Sequence, residues 1–446
     1  MALTSDASDH SLQRPLRATT VEVHTGPATD PLAWLAVAPD DDEAWFWEVP
    51  DDGTSWTGLG SAVVVDVEGA GRFAEAASGV SELAEAMVLT APEDAPHPRL
   101  AAGFAFDDHL PEEPHAWASF GVGRLVLPAV QVLRLEGRTW VTRIDDRDRP
   151  TPLLAPPPGP VNALPSEPAD HADPAARQHY RHLVRLALEA IDRGDLDKAV
   201  PCRSLHVDHR PDPIPLLAAL RSTYPACATL AVRPAGGQAC FLGATPERLA
   251  AVHAGHLQTA ALAGSAPRDP DPAIDAALGQ GLLTSPKERV EHAVVVDAVD
   301  RALAGLGVAD HHPGDPVLLR LHGIQHLHTP IDAELPDGVG LLDLVGALHP
   351  TPAVAGHPGG QAAQLRAEHE GMQRGWFASP VGWMDATGDG EFRVALRTGL
   401  VHDGGTTLYA GAGVVAGSDP DRELAETDVK LRTLLGLVLA ATEATP

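Results

Sequence analysis

A mixed α/β globular fold is the class this sequence predicts, and three observations predict it. Strand-like apolar runs and helical stripes both recur along the 446 residues. Hydrophobic residues make up 44% and charged residues 21%, the balance of a soluble chain that buries a core. No apolar run approaches the roughly 20 residues that span a bilayer. The length exceeds one ordinary core, so either one large α/β domain or a division is expected. A net charge of −29 argues against nucleic acid or an anionic membrane as partner. Cys202, Cys227 and Cys240 have no metal-ligand spacing and leave an odd thiol, which fits a reducing compartment. The N-terminus, MALTSDASDHSLQRPLR, lacks the apolar segment of a signal peptide, so a cytoplasmic location is expected.

Residues 1 to about 150 read as β-rich. Ala62–Val67, Arg124–Leu127 and Gln131–Leu135 are strand-like between Gly, Pro and Asp clusters, and Phe73–Met87 is the helix of this part. Trp45, Phe46, Trp47, Trp56, Phe104, Phe106, Trp117 and Phe120 are expected in the core. Residues 151–173 are rich in proline and read as a linker or surface loop. Asp173-Pro174 then caps a helix with a stripe at Tyr180, Leu183, Val184, Leu188 and Ile191, ended by Gly194. Lys198 falls at the following helix-to-strand junction. Residues 228–234 and 239–243 are short apolar strands, and Thr259–Ser265 leads into a polar loop. Ser285-Pro286 opens a helix to about Leu306. Gln325–Thr329 alternates as a strand, Leu348–Val354 is turn-rich, and Arg374–Leu400 reads as paired strands around Gly388–Gly390.

Two stretches carry chemistry. In Leu408–Leu435, Gly411-Ala-Gly413 precedes a helix with Ser418 or Asp419 as N-cap and Pro420 at its first position. Glu423, Glu426 and Lys430 share one face of that helix, and Leu424, Leu431, Leu434, Leu435 and Val438 the buried side. The helix after Pro286 carries a second Glu-x-x-Glu pair, Glu288 and Glu291. Carboxylates on two helices suit a hard cation such as Mg²⁺, which takes oxygen ligands and keeps several waters. A solvated face with an i,i+4 ion pair is the alternative reading. Among 32 basic residues only Lys198, Lys287 and Lys430 are lysines. Lysine is needed where an amine loses its proton or acts as a compact charge, so each is a functional candidate. Lys198 suits a general base and Glu247 a general acid if burial shifts them towards neutrality, while Arg397 and Lys430 suit carboxylates. As single residues, these are equally surface charges.

Taken together, DKAVPCR, FLGATPERL, ALAGS, SPKERVEH, QHLHT, LHPTPAVAG, RGWFASPVGW, VALRTGL and LYAGAGVVAGSDPDRELAETDVKL resemble the chorismate-utilising enzymes, most closely isochorismate synthases. They cover 173–440 in family order. The resemblance implies one large chorismate-binding domain of two stacked, mainly antiparallel β-sheets flanked by helices, an α+β layered fold. Residues 1–172 would be its variable N-terminal part, ending in the Pro-rich loop, and 173–440 the catalytic region. It also implies an Mg²⁺-dependent isomerase that adds water at C2 of chorismate and expels the C4 hydroxyl. Lys198 would be the base and Glu247 the acid. Glu291 and Glu426 match the metal ligands, and Glu288 and Glu423 hold metal-bound waters. Gly264, Ser265, His326, Ala353, Phe377, Leu396, Arg397, Gly411, Gly413 and Lys430 match substrate-binding positions. A monomer or weak dimer serving menaquinone or siderophore biosynthesis is implied as well.

Within the family, anthranilate synthases have glutamine where Lys198 stands, and aminodeoxychorismate synthases have a nucleophilic lysine where Ala263 stands. Salicylate synthases share the lysine but resemble the chain less at Ala353 and Phe377, where threonine and tyrosine are usual. A salicylate synthase and an inactive homologue acting as a binding protein are the rival readings. Pro201-Cys202, Ser379 and Gly399 depart from the family pattern, and Pro201 is expected to remove a strand donor beside Lys198.

Overall fold

The computed structural model describes residues 2–3, 15–24, 29–111, 115–145, 173–237, 239–309, 311 and 313–444; the Pro-rich stretch at 151–172 lies outside them. One sequence rule opens most of the helices. An Asp or Ser accepts from backbone N–H groups of the first turn, and a proline follows it, where the missing donor costs nothing. Asp173 caps Pro174–Asp192, Asp212 caps Pro213–Thr223, Asp271 caps Pro272–Thr284 and Ser285 caps Pro286–Gly305. At Pro420–Ala444 the capping atom is Asp419 Oδ1, which accepts from Asp421 and Arg422 at 3.1 and 3.0 Å. Ser418 instead accepts from the Val415 N–H.

The strands form two large sheets. An eleven-stranded sheet runs in the order Cys202–Val207, Gly405–Gly411, Thr398–His402, Ala239–Thr245, Ala228–Arg233, Ala44–Val49, Thr54–Leu59, Val130–Leu135, Arg138–Asp145, Leu16–Val23, Met87–Thr90. A ten-stranded sheet runs Ala2–Leu3, Val63–Val67, Gly123–Leu127, Arg99–Phe104, Pro380–Asp385, Gly390–Val394, Arg248–His253, His256–Pro267, Ile324–Glu334, Val317–Arg320. Parallel pairing occurs only where Ala2–Leu3 meets Val63–Val67 and Leu16–Val23 meets Met87–Thr90, among the described residues. Ladders between Ala44–Val49 and Ala228–Arg233, and between Arg99–Phe104 and Pro380–Asp385, join strands from the two ends of the chain. The N-terminal part therefore completes the same sheets rather than building its own core.

Alternation within one strand shows the layers. In Ala44–Val49, Trp45 and Trp47 join the core between the sheets, whereas Ala44 and Phe46 join Leu216, Leu434 and Val438 of the helices outside. Both faces are covered, so the strand is apolar along most of its length instead of alternating. The helices Arg72–Ala86, Pro286–Gly305 and Leu341–Leu348 pack on the ten-stranded sheet. All eight aromatics expected in the core are buried. Gly103 is required by this packing, because a Cβ there would lie 1.9 Å from Trp376, whose Nε1 donates to the Gly121 carbonyl at 3.0 Å.

Two local expectations change. Ser265 lies within a strand that continues to Pro267, and Asp271-Pro272 opens a helix where a loop was expected. Gly375–Ala378 is a turn, so the paired strands begin only at Pro380. Pro201 sits in the break between Lys198–Ala199 and Cys202–Val207, opposite Ala412 in the register that pairs Ala199 with Val414 and Cys202 with Gly411, so the ladder is interrupted at the residue without a donor, on an edge strand that tolerates it. The Cys202 N–H that follows donates to Glu370 Oε2 at 3.1 Å.

Candidate active site

A cavity of about 740 Å³, its open mouth included, lies where Cys202–Val207 and Gly405–Gly411, at one end of the eleven-stranded sheet, meet His256–Pro267 and Ile324–Glu334, near one end of the ten-stranded sheet, and the Pro420–Ala444 helix. Glu247, Gly264, Ser265, His326, Ala353, Phe377, Leu396, Arg397, Gly411, Gly413 and Lys430 all line it, as do the metal candidates Glu291 and Glu426. Glu288, Glu423 and Lys198 do not line it.

Glu247 ends the turn after Ala239–Thr245. Its N–H lies 3.4 Å from Thr245 Oγ1, and its carbonyl accepts from Val394 at 3.0 Å, so the backbone is held on both sides. Burial pushes its carboxyl up to about 7, although Lys198, Lys430 and Arg397 pull the other way. Near neutral pH this carboxyl keeps a large fraction of its protons and can donate one.

Opposite charge is supplied by Arg397 and Lys430. Arg397 adopts a left-handed backbone with φ of 53°, a strained conformation for a side-chain-bearing residue, and its guanidinium is buried. Its Nη2 donates to His326 Nε2 at 2.9 Å, so His326 carries its proton on Nδ1 and donates it to the Gly264 carbonyl at 3.2 Å. Burial, then the charges of Arg397 and Lys430, hold the His326 imidazole well below its ordinary range, and it stays neutral. Gly264 is a bulge in the His256–Pro267 strand with φ of 78°. The bulge turns the Ser265 N–H towards Glu288 Oε2 at 3.3 Å. Lys430 donates to the Gly411 carbonyl and pairs with Glu426, both at 2.8 Å.

Lys198 is fully buried, and its ammonium lies 3.0 Å from Glu291 Oε1. It stands one layer behind the cavity wall, because two buried opposite charges draw together and Glu291 covers it. A Cβ on Gly413 would lie 2.1 Å from Glu291 Oε1 and 3.0 Å from Lys198 Cε. Glycine is therefore the residue that lets this pair reach the wall. Lys198 itself is fixed by a two-stranded sheet with Gly356–His357 and by a bridge from Ala199 to Val414.

The four glutamates come from the N-terminal turns of two helices, and each is paired with a lysine. Lys198 holds Glu291, Lys430 holds Glu426, and Lys287 spans Glu423 at 3.0 Å and Glu288 at 3.4 Å. Among the described residues no three acidic, histidine or cysteine side chains converge as a ready metal site. The donor chemistry nevertheless fits a hard divalent cation: carboxylate oxygens only, with Gly413 and Gly264 leaving them room. Burial and the neighbouring Glu291 and Glu426 carboxylates push Glu288 above its ordinary value against the pull of Lys287. Burial also raises Glu426, but its ion pair with Lys430 outweighs that and holds it below.

The model of the chorismate binding enzyme family matches residues 7–439. The chain belongs to this chorismate-binding family. It is 38% identical to the salicylate biosynthesis isochorismate synthase of Pseudomonas aeruginosa over 76% of this chain and 73% of that one. It is 31% identical to the isochorismate synthase MenF of Bacillus subtilis over 76% and 74%. The solved menaquinone-specific isochorismate synthase MenF of Escherichia coli superposes with a TM-score of 0.77 at 26% identity, covering 95% of each chain.

The family cavity also depends on residues that sequence reasoning missed. Arg374 Nε and Nη2 bind Glu370 at 2.7 and 2.6 Å, Nη2 donates to Val200 O, and Nη1 donates to Val354 O, both at 2.8 Å. Glu370 in turn accepts from Cys202. Val200, Cys202 and Val354 line the cavity, so this one buried pair clamps two separate wall segments. Only the bare RGW run hinted at it. We expect Arg374→Ala to cost about 3–5 kcal/mol by leaving Glu370 buried and unpaired. Chemical denaturation tests this, and a loss under about 1 kcal/mol would refute the clamp.

Proposed function

We propose that this protein is an isochorismate synthase, converting chorismate to isochorismate. Glu247 carries the reading: a buried carboxyl with a pKa of about 7 on the cavity wall, acted on by the charges of Lys198, Lys430 and Arg397. A general acid needs that environment, and a dianionic substrate needs those cations. Residues 173–440, read as the catalytic region, supply these groups, and residues 1–172 are read as the variable N-terminal part of the same fold.

In the proposed reaction Lys198 must first leave its ion pair with Glu291 and give up its proton, and the free amine then takes a proton from the water that attacks C2. Both ring double bonds shift, C1=C2 to C1=C6 and C5=C6 to C4=C5, and the C4–O bond breaks as Glu247 protonates the departing hydroxyl, which leaves as water. Arg397, oriented by His326, and Lys430 hold substrate carboxylates, with Gly411 and Gly413 shaping that end. Gly264, Ser265, Ala353, Phe377 and Leu396 bound the ring. Phe377 is stacked on Tyr409 with centroids 5.2 Å apart, which fixes its ring as an apolar wall. Glu291 and Glu426 would hold Mg²⁺, with Glu288 and Glu423 on its waters. When bound there, the ion neutralises a substrate carboxylate beside four glutamates. Lys198 favours water over ammonia as nucleophile, and Ala263 leaves no amine for a covalent route.

The three free cysteines are all buried, which fits the reducing cytoplasm. No helix among the described residues is long and apolar enough to cross a membrane. The chain as a monomer or weak dimer, acting on chorismate without nucleic acid or membrane, completes the reading.

Incubation with chorismate and Mg²⁺, followed by chromatography, tests it. Isochorismate is the expected product, formation stops in EDTA, and excess Mg²⁺ restores it. Salicylate and pyruvate as main products would replace this reading with a salicylate synthase. Full activity in EDTA would remove the metal assignment.

A further inference from the structure

The three lysines of this chain, set among 32 basic residues, all lie at the four glutamates of the two helices. Lys198 and Lys430 have roles in the proposed chemistry. Lys287 has none, yet its ammonium bridges Glu423 of one helix and Glu288 of the other. We propose that Lys287 is a built-in counter-cation, which ties the outer carboxylates together across the two helices and competes with the divalent cation for them.

Its position is otherwise unfavourable. Lys287 is the second residue of the Pro286–Gly305 helix, where the helix dipole disfavours a positive charge. Two carboxylates from different helices offset that. Glu423 is 3% exposed, so without a cation its charge would be buried alone. Lys287 is 32% exposed along its side chain, so its ammonium can withdraw towards solvent when another cation arrives. Lysine suits this better than arginine, whose planar fork would lock the carboxylates in two-point contact, whereas an ammonium is a compact charge on a flexible stem. The chain uses arginine nearly everywhere else, which makes lysine at this place a chemical choice.

The inference rests on the reading that these glutamates bind Mg²⁺, and calorimetry separates the two. Titrating Mg²⁺ into the EDTA-stripped full-length protein is expected to show binding. Lys287→Met, which keeps the stem and removes the charge, is expected to bind Mg²⁺ roughly two- to fivefold more tightly, the range of a partly exposed ion pair. Lys287→Arg is expected to bind it more weakly than wild type, and keeps the test open should the methionine variant not fold. Arg289→Met removes a charge from the same helix that has no carboxylate contact among the described residues, and is expected to leave affinity unchanged. Wild-type binding with unaltered or weaker affinity in Lys287→Met overturns the competition. Equal tightening in Arg289→Met also overturns it, because the effect would then be a general field. No Mg²⁺ binding by wild type overturns the metal reading itself and the competition with it.

Discussion

In Lys198→Ala, isochorismate formation is expected to fall by about 10²- to 10⁴-fold, the contribution of a positioned general base. The argument starts from burial. The Lys198 side chain has no solvent exposure, is ion-paired with Glu291 and acts on the Glu247 carboxyl, so it does not act as a surface charge. Its place is set by backbone: pairing with Gly356–His357 on one side and the Ala199–Val414 bridge on the other. Removing the ammonium leaves Glu291 nearly buried and without its partner, so the alanine variant is also expected to lose stability in EDTA. Mg²⁺ should recover that stability, because Glu291 then has another cation, but not the activity. Lys198→Met keeps the stem packed against Gly413 and isolates the missing amine. Chromatographic rates and melting curves with and without Mg²⁺ check both. Turnover near wild type in a folded variant would show that another group takes the proton.

Much of this site was legible because the chemistry lies in short contiguous runs. Glu288 with Glu291, and Glu423 with Glu426, sit one helical turn apart, and Asp or Ser followed by proline marks where each helix starts. The same signal stands at Asp212-Pro213 and Asp271-Pro272, each of which opens a helix. The second of these helices, Pro272–Thr284, carries Gly279 and Gly281 in its interior. Gly279 is needed for close packing: a Cβ there would lie 2.7 Å from Leu318 and 2.9 Å from Gln325. What sequence could not reveal are pairings between distant residues. Arg374 meets Val200 across 174 positions, and Lys287 meets Glu423 across 136. Nothing local in RGW or SPKE says that one clamps the cavity wall and the other bridges two helices. The concealment of Lys198 behind Glu291 is of the same kind, since it depends on which carboxylate arrives at Gly413. Pro201 is a case where the local reading carries over: the strand pairing is interrupted at the proline, between Lys198–Ala199 and Cys202–Val207.

Glu247→Gln is expected to remove most of the activity while making the folded protein more stable above neutral pH. As a general acid Glu247 works only when protonated, so wild-type kcat/KM should hold below a pKa of about 7 and fall as pH rises through it. Glutamine cannot donate the proton, and a loss of about 10²- to 10⁴-fold is expected. Stability follows from the same displacement. The ordinary carboxyl value is 4.5 and the folded value about 7, so folding takes up a proton between those limits. The stability contributed by the neutral buried form is therefore complete below 4.5 and is lost as pH rises through 7, where the carboxylate must ionise in a dry site. At one pKa unit per 1.36 kcal/mol, the loss at pH 8 is on the order of 3 kcal/mol. Glutamine has nearly the same shape and never ionises, so it escapes that loss. Melting wild type and Glu247→Gln at pH 5 and pH 8 should show a difference that widens in favour of the variant at the higher pH. A pH-independent difference would mean that Glu247 ionises freely in the folded protein, and the acid would have to be sought elsewhere on the cavity wall.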